Sequence, residues 1–229
     1  MLENRFQQLM LRLGVDNPDT KEAGLALLAA YDGPGRHYHN VTHLQDVLDK
    51  LDWAKDALQK SGELGMMTPQ EALRMFDVIE LALWYHDAIY DAKAKDNEAQ
   101  SREWFRADAN EFGLGEALTK DVAALIDLTA HHKDAKTLPE CIMTDCDLAI
   151  LGAPKPQFDA YDANIGQEYA HVPPPLYATG RAAVLKSFRD QPQIFKTEAF
   201  REKYEAAARS NLAPGTLPAL LRVKSWFKR

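Results

Sequence analysis

The stretch TPQEALRMFDVIELALWYHD, residues 68–87, decides the fold class. Thr68, followed three residues later by Glu71, has the capping-box pattern that starts a helix. The apolar positions that follow at helical spacing are Met75, Ile79 and Ala82. This period predicts a helix with one buried face, and it places His86 on or beside that face.

Helical spacing recurs along the rest of the chain, and sustained two-residue alternation is missing. Asn40 is a good N-cap for a second helix, whose predicted buried stripe comprises Val41, Leu44, Leu48, Leu51 and Leu58. A third segment with apolar residues at Val122, Leu125 and Ile126 runs up to His131 and His132. We therefore predict an all-α protein with about eight to ten helices in one domain, residues 1–229.

The composition narrows the function classes. The chain has 229 residues, of which 46% are hydrophobic and 27% charged, as in ordinary globular proteins. A formal net charge of −7 argues against binding to nucleic-acid polymers or to anionic membranes. Two cysteines are too few for a disulfide framework, and the N-terminal segment lacks the pattern of a signal peptide or a membrane span. We expect a cytoplasmic protein.

Four ionisable residues stand within apolar sequence: His43, His86, Asp87 and Asp147. Such side chains lose several kcal/mol of hydration in a core unless they are paired, neutralised or bound to a metal. Two imidazoles and two carboxylates can form a divalent-metal site if their three helices converge. Hydrogen-bonded core histidines are the other interpretation of the same pattern, and the residues alone do not decide between the two.

Four ordered motifs resemble those of the HD-domain superfamily of metal-dependent phosphohydrolases. They are YHNVTHL at 38–44, WYHDAIYD at 84–91, NEAQS at 97–101 and DCDLAILG at 145–152. The resemblance is closest to a branch of bacterial predicted HD phosphohydrolases. It implies a helical bundle whose motif-bearing core covers about residues 31–152, with a C-terminal helical extension over about 153–229.

The resemblance also assigns roles to residues of this chain. It implies that His43, His86, Asp87 and Asp147 hold one divalent ion, with Mn, Mg, Co, Zn, Ni and Fe all left open. Asp91 resembles the acidic residue that follows the His-Asp pair in several family hydrolases, and it is our predicted general acid or base. On a continuing helix it shares a face with Asp87. An exposed acidic residue at a helix end is the equal alternative for Asp91.

A second set of residues is predicted to contact the substrate or to support the ligands. For Asp145, helix capping is an equal alternative. His131 and His132 resemble a double-histidine position that binds a second metal in some relatives, but we favour support of the first site. The complete set is His39, His131, His132, Asn97, Glu98, Asp145 and Arg181.

The resulting hypothesis is a metal-dependent phosphohydrolase that uses a metal-activated water to cleave a phosphate ester or anhydride. Its expected substrate is a small phosphorylated compound, either a nucleotide or a phosphometabolite, and a homodimer is left open. A nucleotide-sensing module without turnover is the main alternative. An HD-type di-iron oxygenase is a second alternative.

Overall fold

The computed structural model describes residues 2–132 and 134–213. Its elements are α1 (Leu2–Arg12), α2 (Asp19–Tyr31), α3 (Val41–Ser61), α4 (Pro69–Tyr85), α5 (Asn97–Glu111), α6 (Glu116–Leu128), α7 (Leu138–Leu148), a 3₁₀ turn (Ala149–Gly152), α8 (Lys155–Glu168), α9 (Pro174–Arg189), α10 (Glu198–Phe200), a π-helical turn (Arg201–Glu205) and α11 (Ala206–Asn211). These residues contain no strand, which confirms the all-α prediction. Residues 214–229 of the predicted extension lie outside the described ranges.

Helix α4 is the centre of the bundle. Every residue from Val78 to Tyr85 is buried, so this part of the helix is surrounded on all sides. It packs against α1, α3, α6 and α7. A helix buried all round is expected to be apolar on every face, yet α4 carries two buried acids, Asp77 and Glu80.

Two arginines of α1 explain these buried acids. Arg5 Nε lies 2.7 Å from Glu80 Oε1, and Arg12 Nε lies 2.8 Å from Asp77 Oδ1. Arg5 also pairs with Asp52 of α3, at 2.7 Å. A buried carboxylate is tolerated when it is paired and hydrogen-bonded, so these contacts fix the N-terminal helix onto α3 and α4.

The predicted helix starts are confirmed. The Asn40 side chain accepts hydrogen bonds from the backbone N–H groups of Thr42 and His43, so α3 begins at Val41. Thr68 and Glu71 form the predicted capping box of α4. These caps satisfy backbone donors that would otherwise lack partners, and they fix where each helix begins.

The C-terminal elements pack through one close backbone contact. Gly152 ends the 3₁₀ turn and lies against the π-helical turn at Tyr204. A Cβ added to Gly152 would lie 2.6 Å from both Cβ and the carbonyl oxygen of Tyr204. Only glycine fits there without a shift of the backbone. Glycine is therefore required at this position for close packing and not for an unusual backbone conformation. Among the described helices, none combines the length and apolar character needed to cross a membrane.

Candidate metal centre

Three helices bring the four predicted ligands to one place inside the bundle. His43 lies in the first turn of α3, while His86 and Asp87 directly follow α4. Asp147 lies in the last turn of α7. Because α3, α4 and α7 pack against one another, these side chains meet although they are far apart in sequence. Both histidines are buried, with exposed fractions of 3% for His43 and 1% for His86.

The donor atoms of His43, His86 and Asp147 lie close enough together to share a small metal ion. His43 Nε2 lies 3.2 Å from His86 Nε2. Asp87 Oδ2 lies 3.3 Å from the first of these nitrogens and 3.1 Å from the second. Asp147 Oδ1 lies 3.4 Å from His43 Nε2 and 3.7 Å from His86 Nε2. A tetrahedral ion with ligands at about 2.0–2.1 Å separates them from one another by about 3.3 Å.

Two ligands are oriented by their neighbours. His86 Nδ1–H donates to the carbonyl oxygen of Leu83, at 2.9 Å. Because a carbonyl only accepts, this bond places the proton on Nδ1 and leaves the Nε2 lone pair for the cluster. His132 Nε2 donates to Asp147 Oδ2 at 2.7 Å, which leaves Oδ1 facing the two histidines. His132 therefore contacts Asp147, which is one of the four predicted ligands.

The charges of the cluster favour a cation at its centre. Burial raises the pKa of Asp87 and of Asp147, but the neighbouring histidines lower both pKa values well below their usual range. Burial alone would lower the pKa of His43, but the hydrogen bonds that its ring donates to the carboxylates of Asp147 and Asp87 outweigh burial and raise the pKa to about 9. Two imidazolium rings with Nε2 atoms 3.2 Å apart repel each other. A divalent cation between neutral imidazoles balances both carboxylates without that repulsion.

Arg36 holds the turn that carries the His-Asp pair, and the sequence analysis missed it. Its Nη1 donates to the carbonyl oxygens of Asp87 at 2.7 Å and His39 at 2.9 Å. Its Nη2 donates to the carbonyl oxygen of Ala88 at 2.7 Å. One guanidinium therefore joins the turn before α3 to the turn after α4 and fixes their separation.

His39 forms a dyad with Glu168, a second residue that the sequence analysis missed. Glu168 Oε2 lies 2.8 Å from His39 Nδ1 and accepts a hydrogen bond from the Tyr90 hydroxyl at 2.9 Å. Its Oε1 accepts from the backbone N–H groups of Tyr38 and His39. Burial alone would raise the pKa of Glu168, but the contacts with His39 outweigh burial. The pKa of Glu168 is therefore lowered to about 2. An ionised Glu168 holds a proton on His39 Nδ1 and leaves Nε2 free.

The structure corrects the premise behind Asp91. Helix α4 ends at Tyr85, so no continuing helix carries Asp91 onto the face of Asp87. Asp91 is exposed, and its Oδ1 accepts a hydrogen bond from the backbone N–H of Lys93. Asn97 Oδ1 and Nδ2 bind the backbone N–H and carbonyl of Asp91. Asp91 therefore shapes a turn, and the described contacts do not bring it to the cluster.

The NEAQS segment fastens the loop after the His-Asp pair to α5. Besides the Asn97 contacts, the Ser101 hydroxyl accepts a hydrogen bond from the Ile89 backbone N–H, at 3.0 Å. Glu98 lies in the first turn of α5, and no hydrogen bond between described residues joins it to the cluster. The segment thus supports the loop that follows His86 and Asp87 rather than the ligands themselves.

Asp145 and His131 lie apart from the ligand atoms. Asp145 is fully buried, and its carboxylate accepts from Lys196 N, Thr197 N and the Thr197 hydroxyl. Burial raises its pKa to about 6 in spite of these bonds. Asp145 therefore holds the segment before α10 in place, and its carboxylate is not an N-cap of its own helix, α7. His131 is exposed in the turn after α6.

A cavity of about 450 Å³ opens beside the cluster. At one side it is lined by His39, His132 and Asp147, so it reaches both the dyad and a ligand. Arg181 of α9 also lines it, and Arg181 Nε lies 2.9 Å from Asp162 Oδ1. The structure thus brings the predicted residues His39, His132 and Arg181 to one cavity. The apolar residues of α8 and α9 form most of its remaining wall.

Comparisons of the chain with protein-family models, with curated proteins and with solved structures found no match. The functional argument therefore rests on the chemistry of the site. The ligand atoms of His43, His86 and Asp147 all lie within 4.8 Å of one another, and together they can hold a metal ion. Asp87 adds a second carboxylate through its contacts with the two imidazoles. Mixed imidazole and carboxylate donors suit several divalent metals.

Proposed function

We propose that this protein is a metal-dependent phosphohydrolase of the HD type. One divalent ion would be held by His43, His86, Asp87 and Asp147. The observation that carries the proposal is the convergence of two imidazole nitrogens and two carboxylate oxygens, with contacts of 3.1 to 3.7 Å, inside a helical bundle. The order of the motifs along the chain supports the same assignment.

The bound ion would supply Lewis acidity toward a phosphoryl oxygen and toward water. The chain supplies the rest. His86 and Asp147 are held in place by Leu83 and His132, so the ligand set is formed before anything binds. Such preorganisation avoids the cost of moving these groups during the reaction.

His39 replaces Asp91 as the residue that we propose to handle a proton. The dyad with Glu168 leaves His39 Nε2 as the ring atom available to a substrate in the cavity that His39 lines. An imidazole oriented by a carboxylate can donate a proton to a leaving oxygen or accept one from water. Asp91 lacks such a position, because its carboxylate serves the turn at Lys93.

The substrate is a small phosphorylated molecule. The cavity volume of about 450 Å³ falls within the usual range for small-molecule sites. The formal net charge of −7 opposes long-range attraction of a polyanion such as a nucleic acid. The positive field for one phosphate must therefore come from the metal centre and from His39.

The test combines metal analysis with phosphate release. Protein purified without added metal is analysed for its metal content and assayed on a panel of phosphate esters and anhydrides with Mn, Mg, Co, Ni, Zn or Fe(II). We expect about one ion per chain and metal-dependent release of phosphate. His86→Gln and Asp87→Asn should lose metal and turnover, while Asp121→Asn, an exposed change on α6, is the matched control and should lose neither.

Three outcomes would reject the proposal. Protein that binds no divalent ion would remove the metal centre. Protein that binds one ion tightly but releases no phosphate from any compound would favour the sensing module instead. Two irons per chain with visible charge-transfer bands would favour the oxygenase.

A further inference from the structure

The cavity beside the predicted metal ligands has a mainly apolar lining. Most of the described residues that line it are aromatic or aliphatic, including Tyr161, Tyr169, Phe188, Ile165 and Val184. Apart from the tyrosine hydroxyls, the polar side chains among these described residues belong to His39, His132, Asp147 and Arg181. A sugar or the edge of a nucleotide base needs several hydrogen-bond partners, because recognised polar groups must be hydrogen-bonded, so this wall suits an apolar ring better.

The cavity also lacks a free cation. Among its described lining residues, Arg181 is the only arginine or lysine. Arg181 is buried, with 9% of its surface exposed, and it is paired with the buried Asp162. Its charge is therefore already balanced. A di- or triphosphate chain placed along this wall would have no countercharge, so a single phosphate at the metal cluster fits best.

We infer that this cavity binds an uncharged, largely apolar ring system, and that the substrate is the single phosphate ester of such a ring. The inference rests on the proposed function for the position of the phosphate at the cluster. The wall made by α8 and α9 sets the specificity, because its apolar residues favour such a ring over nucleotides and phosphorylated polyols.

The test uses two rings and their esters. 4-Methylumbelliferone carries a carbonyl acceptor, whereas 1-naphthol has no carbonyl, and both are fluorescent. Binding of the free rings is measured with metal-stripped protein, so this readout needs no turnover. The phosphate esters of both rings, AMP, ATP and glycerol phosphate are then assayed with the metal that gives the highest rate. We expect kcat/KM for the ring esters to exceed that for AMP and glycerol phosphate at least tenfold.

Variants locate the binding to this cavity. Val184 lines it and is 46% exposed, so Val184→Asp places a charge in the wall of a folded protein. We expect it to weaken ring binding at least tenfold. Ala183→Asp is the matched control, because Ala183 is exposed on the same helix and does not line the cavity.

The outcomes separate this inference from the proposed function. If neither ring binds, or if Ala183→Asp weakens binding as much as Val184→Asp, the cavity assignment is wrong. If AMP or glycerol phosphate is hydrolysed faster than the ring esters, the assignment is also wrong, although the protein is a phosphohydrolase. If the rings bind and Val184→Asp abolishes binding, but no ester is hydrolysed, the cavity assignment stands and the hydrolase is refuted.

Discussion

His39 Nδ1 lies 2.8 Å from Glu168 Oε2, across 129 residues of sequence. Glu168 is buried and also binds the backbone N–H groups of Tyr38 and His39, so it fixes both the position and the tautomer of the ring. This relationship is the basis of our proposal that His39 transfers a proton in the cavity.

The dyad predicts a specific kinetic defect. Glu168→Gln should lower kcat about 10- to 100-fold with little change in KM, because the ring loses its oriented tautomer while the cavity and the metal ligands remain. His39→Gln should have a loss of similar size, and the double variant should lose little more than either alone. Steady-state kinetics across pH 5 to 9 measure this. Independent, additive losses would contradict a dyad.

The same glutamate predicts a pH-dependent stability. The pKa of Glu168 is about 2 in the fold, below its ordinary value of 4.5. A depressed pKa stabilises the fold above the unfolded value, and the stabilisation is lost as the pH falls from about 4.5 toward 2. The free-energy difference between the wild type and Glu168→Gln should therefore shrink over this window, by up to about 3 kcal/mol. Urea unfolding at pH 6, 4 and 2.5 tests the sign.

We expect the substitution of Asp145 to lower stability and the substitution of Asp147 to abolish metal binding. Asp145→Asn keeps the size of the side chain but turns an amide toward backbone donors at Lys196 and Thr197, so we expect a loss of about 2–3 kcal/mol. Its metal content should remain near that of the wild type. Asp147→Asn should lose metal. Thermal melting and metal analysis of both variants test the assignment, and loss of metal in Asp145→Asn at a temperature where it is folded would contradict it.

Two glycines offer a matched pair for the packing of the C-terminal elements. Gly152→Ala puts a methyl group 2.6 Å from Tyr204 atoms, so we expect a destabilisation of about 1–3 kcal/mol. Gly180→Ala, in the middle of α9, has no atom within 4 Å of the new methyl group. It should stabilise the protein by up to about 1 kcal/mol because alanine favours helix. Equal effects in denaturant unfolding would argue against the close contact.

Local signals predicted the helices well and the site only in part. The caps at Asn40 and Thr68 were readable because each satisfies backbone groups of the next few residues. The meeting of His43 with His86 was predicted from chemistry and from the resemblance, since buried ionisable groups need partners. Asp91 was misplaced because neither glycine nor proline marks the end of α4 at Tyr85.

Two supporting residues were beyond the reach of sequence patterns. Glu168 contacts His39 from 129 residues away, and Arg36 contacts Asp87 from 51 residues away. Each looks like an ordinary surface charge in sequence, because no spacing rule connects it to its partner. Only the packing of α8 and of the turn before α3 reveals the roles of these residues.

Arg36 holds two turns at once through its three hydrogen bonds to backbone carbonyl oxygens. The guanidinium positions the His39 turn and the His-Asp turn together, so a change there would disturb proton handling and metal ligation at once. Lysine cannot replace it, because a single ammonium lacks the planar fork that reaches carbonyls on both turns. Random mutagenesis should therefore find this position poorly tolerant of substitution, although Arg36 is not one of the predicted metal ligands.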